Sequence, residues 1–147
     1  MIPEADDGGN LPPGVHECTW EELERRFGAT RHRRELLNGL RRAIIALKAA
    51  GCARVYIDGS FVTEKRVPAD YDACWDPEGV VVSKLDPVLQ DFTNGRARQK
   101  AKYRGELFPS SAGESGSGST FLDFFQVDKF TGNAKGVVSL DLRREFS

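Results

Sequence analysis

The sequence predicts an α/β (α+β) fold in which helices pack against a mixed β-sheet. Capped amphipathic stretches dominate the first fifty residues, and short apolar stretches bounded by Gly, Pro and polar residues follow them. A chain of 147 residues, 39% of them hydrophobic, is long enough for one domain with a single core. We expect a flexible N-terminal tail over residues 1–13, which are polar and contain Gly-Gly and Pro-Pro, and a single domain over residues 14–147.

Two helices are expected before the first strand. Thr19-Trp20-Glu21-Glu22 has the spacing of a capping box, so a short helix begins there and ends near Gly28. Thr30 can cap a longer helix that ends at Gly51. Apolar residues recur along this helix at helical spacing and predict a face toward the core: Leu36, Leu40, Ile44 and Leu47. The other face carries arginines, which indicate either a solvated surface or an RNA-binding surface: Arg33, Arg34, Arg41 and Arg42.

Four strands are expected in the remainder of the chain: Arg54–Ile57, Asp70–Trp75, Thr120–Gln126 and Gly136–Leu142. The last two are expected to pair as a hairpin, because the residues between them include the turn sequence Thr131-Gly132-Asn133. The first three should lie in one mixed sheet, with the long helix on one face.

Two further helices are expected between the second and third strands. Asp86 is a good cap followed by a proline, so a helix is expected over Asp86–Phe92. The basic stretch Arg96–Arg104 is a second helix candidate, whereas Pro109–Ser119 is rich in Gly and Ser and predicts a flexible loop.

The chemistry of the chain is concentrated around the first two strands. Gly59-Ser60 supplies a turn with exposed backbone N–H groups and a hydroxyl at the start of a helix, which suits an anion. Ten residues later Asp70 and Asp72 share one face of a strand, because strand side chains alternate. Neighbouring carboxylates repel each other unless a cation lies between them. An anion cradle beside a cation site indicates a pocket for a magnesium-bound nucleotide.

At these residues the chain resembles the nucleotidyltransferase superfamily that includes DNA polymerase β. The pattern of that family is Gly-Ser, then Asp-x-Asp about ten positions later, then a third carboxylate on a later strand. Gly59, Ser60, Asp70 and Asp72 match the first part of the pattern. The wider runs Asp58–Thr63 and Pro68–Asp72 look like a small bacterial branch of nucleotidyltransferase-like proteins. The resemblance implies the palm-type sheet of that family.

The resemblance also implies a third catalytic acid, for which Asp123 is the candidate. It is a lone acid in Phe121-Leu122-Asp123-Phe124-Phe125, where burial is costly without a partner. The family mechanism then implies that Asp70, Asp72 and Asp123 are catalytic and hold two Mg²⁺ ions, with Mn²⁺ as an alternative. The reaction would move a nucleoside monophosphate from a nucleoside triphosphate to a hydroxyl, releasing pyrophosphate.

Other residues are expected to hold the triphosphate together with Gly59 and Ser60. Many relatives carry a further Gly shortly after Gly-Ser, whereas this chain has Phe61-Val62-Thr63-Glu64-Lys65, so Thr63 or Lys65 is expected to contribute. Arg96 and Lys100 lie in one row of the basic helix, and we expect at least one of its cations to face the acids. The alternative for this helix is a merely solvated surface.

Two classes of function remain open at this point. Small relatives are often members of bacterial toxin–antitoxin pairs, which implies either a tRNA end or a partner protein as the acceptor. The alternative is a catalytically inactive binding module of the same fold, as some antitoxins are. A net charge of −1 argues against a protein that coats nucleic acid through bulk charge.

The hydropathy of the chain and its cysteine usage predict a cytoplasmic protein. No apolar run approaches membrane-spanning length, and residues 1–10 lack the basic-then-apolar pattern of a signal sequence, so no membrane partner is expected. Three cysteines without disulfide or metal spacing are expected to be reduced thiols. The two histidines are too few to favour a zinc site.

Overall fold

A five-stranded mixed sheet forms the centre of the protein in the computed structural model, which describes residues 1–114, 118–128 and 131–146. Its strands are Gly14–Glu17 (β1), Arg54–Asp58 (β2), Tyr71–Trp75 (β3), Gly105–Pro109 (β4) and Gly136–Asp141 (β5). Their order is β1-β5-β2-β3-β4. β2 runs antiparallel to both of its neighbours, β5 and β3, whereas the outer pairs β1–β5 and β3–β4 are parallel. The mixed α/β class is therefore confirmed.

The helices in the described part of the chain are Trp20–Phe27 (α1), Arg31–Ala49 (α2), Thr93–Tyr103 (α3) and the single turn Phe121–Phe124 (α4). α1 begins at the expected capping box: the backbone N–H of Glu22 donates to the Thr19 hydroxyl at 3.1 Å, and the Thr19 N–H donates to the Glu22 carboxylate at 3.2 Å. Thr30 caps α2 through its hydroxyl alone, which accepts the Arg33 N–H at 3.1 Å. Both helix starts are confirmed, since caps are local signals.

The apolar stripe of α2 packs on one face of the sheet, as predicted. Its four leucine and isoleucine positions are fully buried: Leu36, Leu40, Ile44 and Leu47. They share one core with inward residues of the central strands, such as Val55, Ala73 and Leu140. The other face of the sheet carries a smaller cluster built on Cys74, Phe108, Phe125 and Val137. The sheet therefore has a helical face and an aromatic face.

Arg33 does not belong to the solvated arginine face predicted for α2. Its side chain is buried, with 6% of the residue exposed, whereas Arg34, Arg41 and Arg42 are exposed. Residue 33 lies one helical turn before Leu36 and Leu37, so it shares their inward direction.

Two strands were not predicted, and β4 is the one that matters for the site. α3 ends at Arg104, which adopts a left-handed backbone with φ of 66°, and β4 begins at the next residue. No turn residues separate the two elements, so the sequence offers no loop signal between helix and strand. At Gly105 a Cβ would lie 2.4 Å from the Tyr71 ring, which explains the glycine at this junction. The segment Asp86–Phe92 forms a 3-10 turn over Pro87–Gln90, capped by Asp86.

The expected strand Thr120–Gln126 is not formed. Its residues make the helical turn α4, capped by the Thr120 hydroxyl, which accepts the Asp123 N–H at 3.2 Å. The expected hairpin is reduced to one antiparallel bridge, between Val127 and Ala134, and β5 itself pairs with β1 and β2. Phe121 and Phe125 pack together with Phe108 of β4, so aromatic packing against the sheet replaces strand pairing.

Residues 1–13, expected to be a mobile tail, run across the core. Leu11 is 2% exposed, and its carbonyl accepts the Gly136 N–H at 2.9 Å. The Gly9 carbonyl accepts the Glu64 N–H at 3.0 Å. The segment therefore contacts both β5 and the loop that follows β2.

The three cysteines are buried and free, and burial raises the pKa of Cys18 to about 12. Within the described residues, none of the helices combines the length and the apolar character needed to cross a membrane.

Candidate functional site

A cavity of about 690 Å³ lies on the aromatic face of the sheet. Four acidic side chains line it: Asp58 of β2, Asp70 just before β3, Asp72 of β3 and Glu106 of β4. Basic residues line it as well: Lys65, Arg96 and Lys135. Gly59, Ser60 and Thr63 also border the cavity, which therefore collects most of the residues that the sequence singled out.

Three of the acids form a row across neighbouring strands. Asp58 at the end of β2 is opposite Asp72 in β3, and Asp72 is opposite Glu106 in β4. Residues directly opposite each other in adjacent strands place their side chains on the same face of a sheet. Asp70 stands two residues before Asp72 and borders the same cavity. Strand pairing therefore holds four carboxyl groups together in spite of their mutual repulsion.

The side chains of Asp72 and Glu106 are joined by a hydrogen bond. Burial raises the pKa of Asp72 well above its ordinary range, and the hydrogen bond and charge of Glu106 raise it further. Burial by itself raises the pKa of Glu106 too, but the hydrogen bond with Asp72 and the charge of Arg96 lower it overall. The hydrogen bond between the two side chains therefore shifts their pKa values in opposite directions, upward for Asp72 and downward for Glu106.

The negative charges of Asp58 and Asp70 are also poorly compensated by nearby cations. Asp58 is 3% exposed, and burial raises its pKa to about 6, although the charge of Lys135 opposes the rise. Its Oδ1 lies 3.4 Å from Lys135 Nζ and makes no hydrogen bond within the described residues. Burial, followed by the charge of Glu106, raises the pKa of Asp70. Additional positive charge in the cavity would therefore stabilise the ionised cluster.

Arg96 and Lys100 face the acids, as expected. Arg96 donates to Glu106 Oε1 from both Nε at 2.8 Å and Nη2 at 2.7 Å, and Lys100 Nζ lies 3.3 Å from the same oxygen. The Arg96 guanidinium also lies over the Phe108 ring, 5.5 Å from its centre. The basic row of α3 thus reaches the cavity at the edge strand of the sheet.

The Gly59-Ser60 turn approaches Asp72 closely. A Cβ at position 59 would lie 2.4 Å from Asp72 Oδ2, and the backbone φ there is 81°. The turn continues into one 3-10 turn, Ser60–Val62, and not into the α-helix that was expected. A helix N-terminus therefore does not form here, and any anion would be held by the turn and the cations around it.

Thr63 and Lys65 lie in a loop whose conformation is fixed by hydrogen bonds, both within the loop and from Arg33 of α2. The Thr63 hydroxyl donates to the Ser60 carbonyl at 2.6 Å and accepts the Lys65 N–H at 3.1 Å, so it braces the loop. The buried Arg33 guanidinium donates to the carbonyls of Phe61 at 2.7 Å, Thr63 at 3.0 Å and Lys65. Sequence reasoning missed this role of Arg33, although its helical spacing from Leu36 and Leu37 indicates an inward direction.

Asp123 is not part of the acidic row. It is exposed on α4, while its neighbours Phe121 and Phe124 line the cavity. The expected position between apolar residues of a strand does not exist, because the segment forms a helical turn. Glu106 occupies the third position in the row, and it was missed because β4 was not predicted.

The donor chemistry of the cluster suits a hard cation. Magnesium prefers carboxylate oxygens, and the cavity offers those of Asp70, Asp72 and Glu106. Among the described residues, however, no three such side chains converge tightly enough to form a ready metal cage. The reason is local: Glu106 is held by Arg96 and Lys100, and Asp72 is engaged with Glu106. The residues therefore fit a metal in kind, and binding requires Glu106 to exchange these partners.

The fold and the cavity define a small mixed α/β protein with a carboxylate cluster beside a Gly-Ser turn. The chain matches a family described as a family of unknown function (DUF6932) over residues 3–141, and it belongs to that family. Searches of curated proteins and of solved structures returned no match.

Proposed function

We propose that this protein is a metal-dependent nucleotidyltransferase, which moves a nucleoside monophosphate from a nucleoside triphosphate to a hydroxyl group. The observation that carries the proposal is the carboxylate row bordering the Gly59-Ser60 turn in one cavity. The nucleotidyltransferase pattern asks for Gly-Ser, Asp-x-Asp and a third carboxylate on a later strand. Glu106 on β4 fills that third position in place of Asp123.

Each acid has a role under this proposal. Asp70 and Asp72 hold the metal that accompanies the nucleotide, and Glu106 joins them in holding a second one. Bound magnesium, or manganese, supplies charge neutralisation at the phosphates and lowers the pKa of the acceptor hydroxyl. Lys65, Arg96 and Lys100 offset the remaining phosphate charge and favour departure of pyrophosphate.

The aromatic wall of the cavity supports a nucleotide as the ligand. Phe108 and Phe121 are stacked with ring centres 4.1 Å apart and planes inclined by 13°. Phe124 and Phe125 line the same cavity. Flat bases stack on such rings, whereas the polyphosphate needs the cations and metal ligands nearby. A cavity that combines both surfaces matches the two halves of a nucleotide better than it matches phosphate or a metal alone.

A catalytically inactive nucleotide-binding module, such as an antitoxin, is the second candidate. It is favoured by the engagement of Glu106 with Arg96, Lys100 and Asp72, which a reaction must first undo. The acceptor, either a tRNA end or a partner protein, and a place in a cytoplasmic toxin–antitoxin pair follow from the resemblance only.

Label transfer tests the proposal. The protein is incubated with each of four α-³²P-labelled nucleoside triphosphates, Mg²⁺, total RNA and cell lysate, and the labelled bands are separated. We expect one nucleotide to label a band, and we expect Asp72→Asn and Glu106→Gln to abolish that label. Asp123→Asn is the matched control, because it removes an exposed carboxylate outside the row and should transfer label normally.

The two candidates separate on nucleotide binding. Under either candidate function, Mg²⁺ with the nucleotide should raise the melting temperature of the protein by mass action. A shift that Asp70→Asn with Asp72→Asn removes, without any label transfer, would support the binding module. No shift and no label with any nucleotide would contradict both candidates.

A further inference from the structure

The charge of this chain is distributed unevenly. Although the net charge is −1, residues 31–49 hold six of the 21 Lys and Arg residues and residues 96–104 hold five. Glu35 is the single acid in these two stretches. The two stretches correspond to α2 and to α3 with its C-cap, so a strongly basic surface exists on a protein that is nearly neutral overall.

α2 and α3 lie against each other and merge their cations into one surface. A Cβ at Gly39 of α2 would lie 2.1 Å from the Tyr103 carbonyl of α3, so the two backbones touch. Arg42 donates to the Lys102 carbonyl at 3.0 Å, and Arg104 lies 3.9 Å from Glu35. We call the exposed cations of these two elements, apart from Arg41, which lies over the Phe146 ring, the α2–α3 surface: Arg31, Arg34, Arg42, Arg98, Lys100, Lys102 and Arg104.

The α2–α3 surface carries more cations than the acids that pair with them. The Arg31 and Arg98 side chains are 89% and 71% exposed, and those of Lys100 and Arg104 are each 46% exposed. Arg34 and Arg42 donate to backbone carbonyls, and within the described residues neither forms an ion pair. Five of the seven cations form ion pairs with only four acids, which leaves a positive surplus: Arg31 and Arg104 with Glu35, Arg98 with Asp91, Lys100 with Glu106 and Lys102 with Asp86.

One side of this surface leads into the cavity. Arg96 lies in a kink at the start of α3, Lys100 lies in the regular part of the helix, and Arg104 is its left-handed C-cap. The first two contact Glu106 in the cavity, and the third faces Glu35 of α2. These contacts link the cations of α2 to the cavity.

We propose that the α2–α3 surface binds the phosphate backbone of a single-stranded nucleic acid and directs its end to the cavity as the hydroxyl acceptor. A protein acceptor fits less well, because protein interfaces are centred on apolar and aromatic residues. Among the described residues, Ile45 is the single large apolar side chain exposed within α2, and α3 exposes none. That the strand is an acceptor rests on the proposed function, whereas its binding does not.

Binding is tested without nucleotide or metal. Fluorescein-labelled oligouridine and oligothymidine 20-mers are titrated with the full chain in EDTA at several NaCl concentrations, and anisotropy gives Kd. We expect binding that weakens with salt, because released counterions contribute about 0.7 to the log–log slope for each phosphate contact on a single strand. Tighter binding of oligouridine or of oligothymidine shows whether the surface prefers RNA or DNA.

Paired variants locate the surface. Arg42→Gln with Arg104→Gln should flatten the slope by up to about 1.4 and weaken binding at 100 mM NaCl by roughly 25-fold if both cations contact phosphates. Arg25→Gln with Arg144→Gln removes the same charge from side chains that are 71% and 80% exposed on other elements, and it should bind like the parent. Unchanged melting temperatures confirm that each variant is folded.

Three results would overturn the inference: no binding by the parent at 50 mM NaCl, equal losses in both double variants, or label transferred to protein and not to nucleic acid. Glu106→Gln separates this inference from the proposed function. It should still bind the strand while losing label transfer, so binding without transfer by the parent would contradict the enzyme and leave the nucleic-acid surface intact.

Discussion

At position 59 a side chain is excluded for two separate reasons. The backbone φ of 81° is unfavourable for any residue with a Cβ, and that Cβ would lie 2.4 Å from Asp72 Oδ2. The glycine therefore serves the site and not the turn alone, because it lets the backbone of one strand end approach a carboxylate of the next strand.

Gly59→Ala should lower the free energy of unfolding by about 2–4 kcal/mol, the left-handed penalty plus the displacement of Asp72. Gly132→Ala is the matched control, since φ there is 75° but, in the described part of the chain, no atom beyond its two chain neighbours lies within 4 Å of the added Cβ. Urea denaturation measures both variants. Equal losses would show that Asp72 accommodates the methyl group freely.

Asp58 carries a cost that depends on pH. Burial raises its pKa from 3.8 to about 6, so the folded state resists ionisation. Below about pH 4 the carboxyl is protonated in both folded and unfolded chains, whereas above about pH 6 the folded chain must hold a buried charge. The resulting penalty is about 3 kcal/mol above pH 6.

Asp58→Asn should accordingly raise the free energy of unfolding at pH 7 in EDTA, with a gain that grows between pH 4 and 6 and stays level above. Urea denaturation across this range measures the difference between the two proteins. Asp123→Asn, which changes an exposed carboxyl, is the control and should stay within about 0.5 kcal/mol of the parent at pH 7. A gain independent of pH would contradict the assignment to the buried charge.

At the scale of elements, α2 holds the loop that follows β2. The guanidinium of Arg33 donates to three carbonyls between Phe61 and Lys65 and to the Phe27 carbonyl at 3.3 Å. Burial lowers the pKa of Arg33, and no carboxylate pairs with it in the described structure. A long helix in the core therefore determines the position of a loop that borders the cavity.

Arg33→Met should lower the free energy of unfolding by about 3 kcal/mol, because buried carbonyls lose their donors. Arg33→Lys should restore little, since a lysine cannot present the planar fork that reaches several carbonyls. Arg34→Met, one residue later and exposed, should stay within about 0.5 kcal/mol of the parent. If Arg33→Met had only a mild effect in urea denaturation, the hydrogen bonds of Arg33 to the loop carbonyls would not be what stabilises the loop.

At the scale of the whole molecule, the first residues close the side of the cavity. Asn10 lines the cavity and donates to Asp128 at 2.9 Å, and Leu11 is inserted into the main core. The N-terminal segment and the segment after α4 are 118 residues apart in sequence and meet here. The site is therefore a product of the complete fold and not of the β2–β3 motif alone.

Leu11→Ala should lower the free energy of unfolding by about 2–5 kcal/mol, as for other buried leucines. Val67→Ala is the control, because Val67 is 67% exposed. Urea denaturation again provides the measurement. A mobile tail would make the two substitutions equally mild.

The sequence was sufficient to predict those features of the fold whose signals are local. Thr19 and Thr30 cap their helices through residues three positions away, and the apolar stripe of α2 repeats within one element. The Gly59-Ser60 turn and the pair Asp70 and Asp72 lie on either side of one short connection, so their proximity was also foreseeable.

The remaining features depend on contacts between residues that are distant in sequence. β4 becomes a strand by pairing with β3, and this pairing, which no local pattern announces, places Glu106 beside Asp72. The segment around Asp123 has the composition of a strand, yet it forms a helical turn because its phenylalanines pack on Phe108 of that same β4. Packing against a partner outweighs the preference of so short a segment, so local patterns could not indicate that Glu106, and not Asp123, lies beside Asp72.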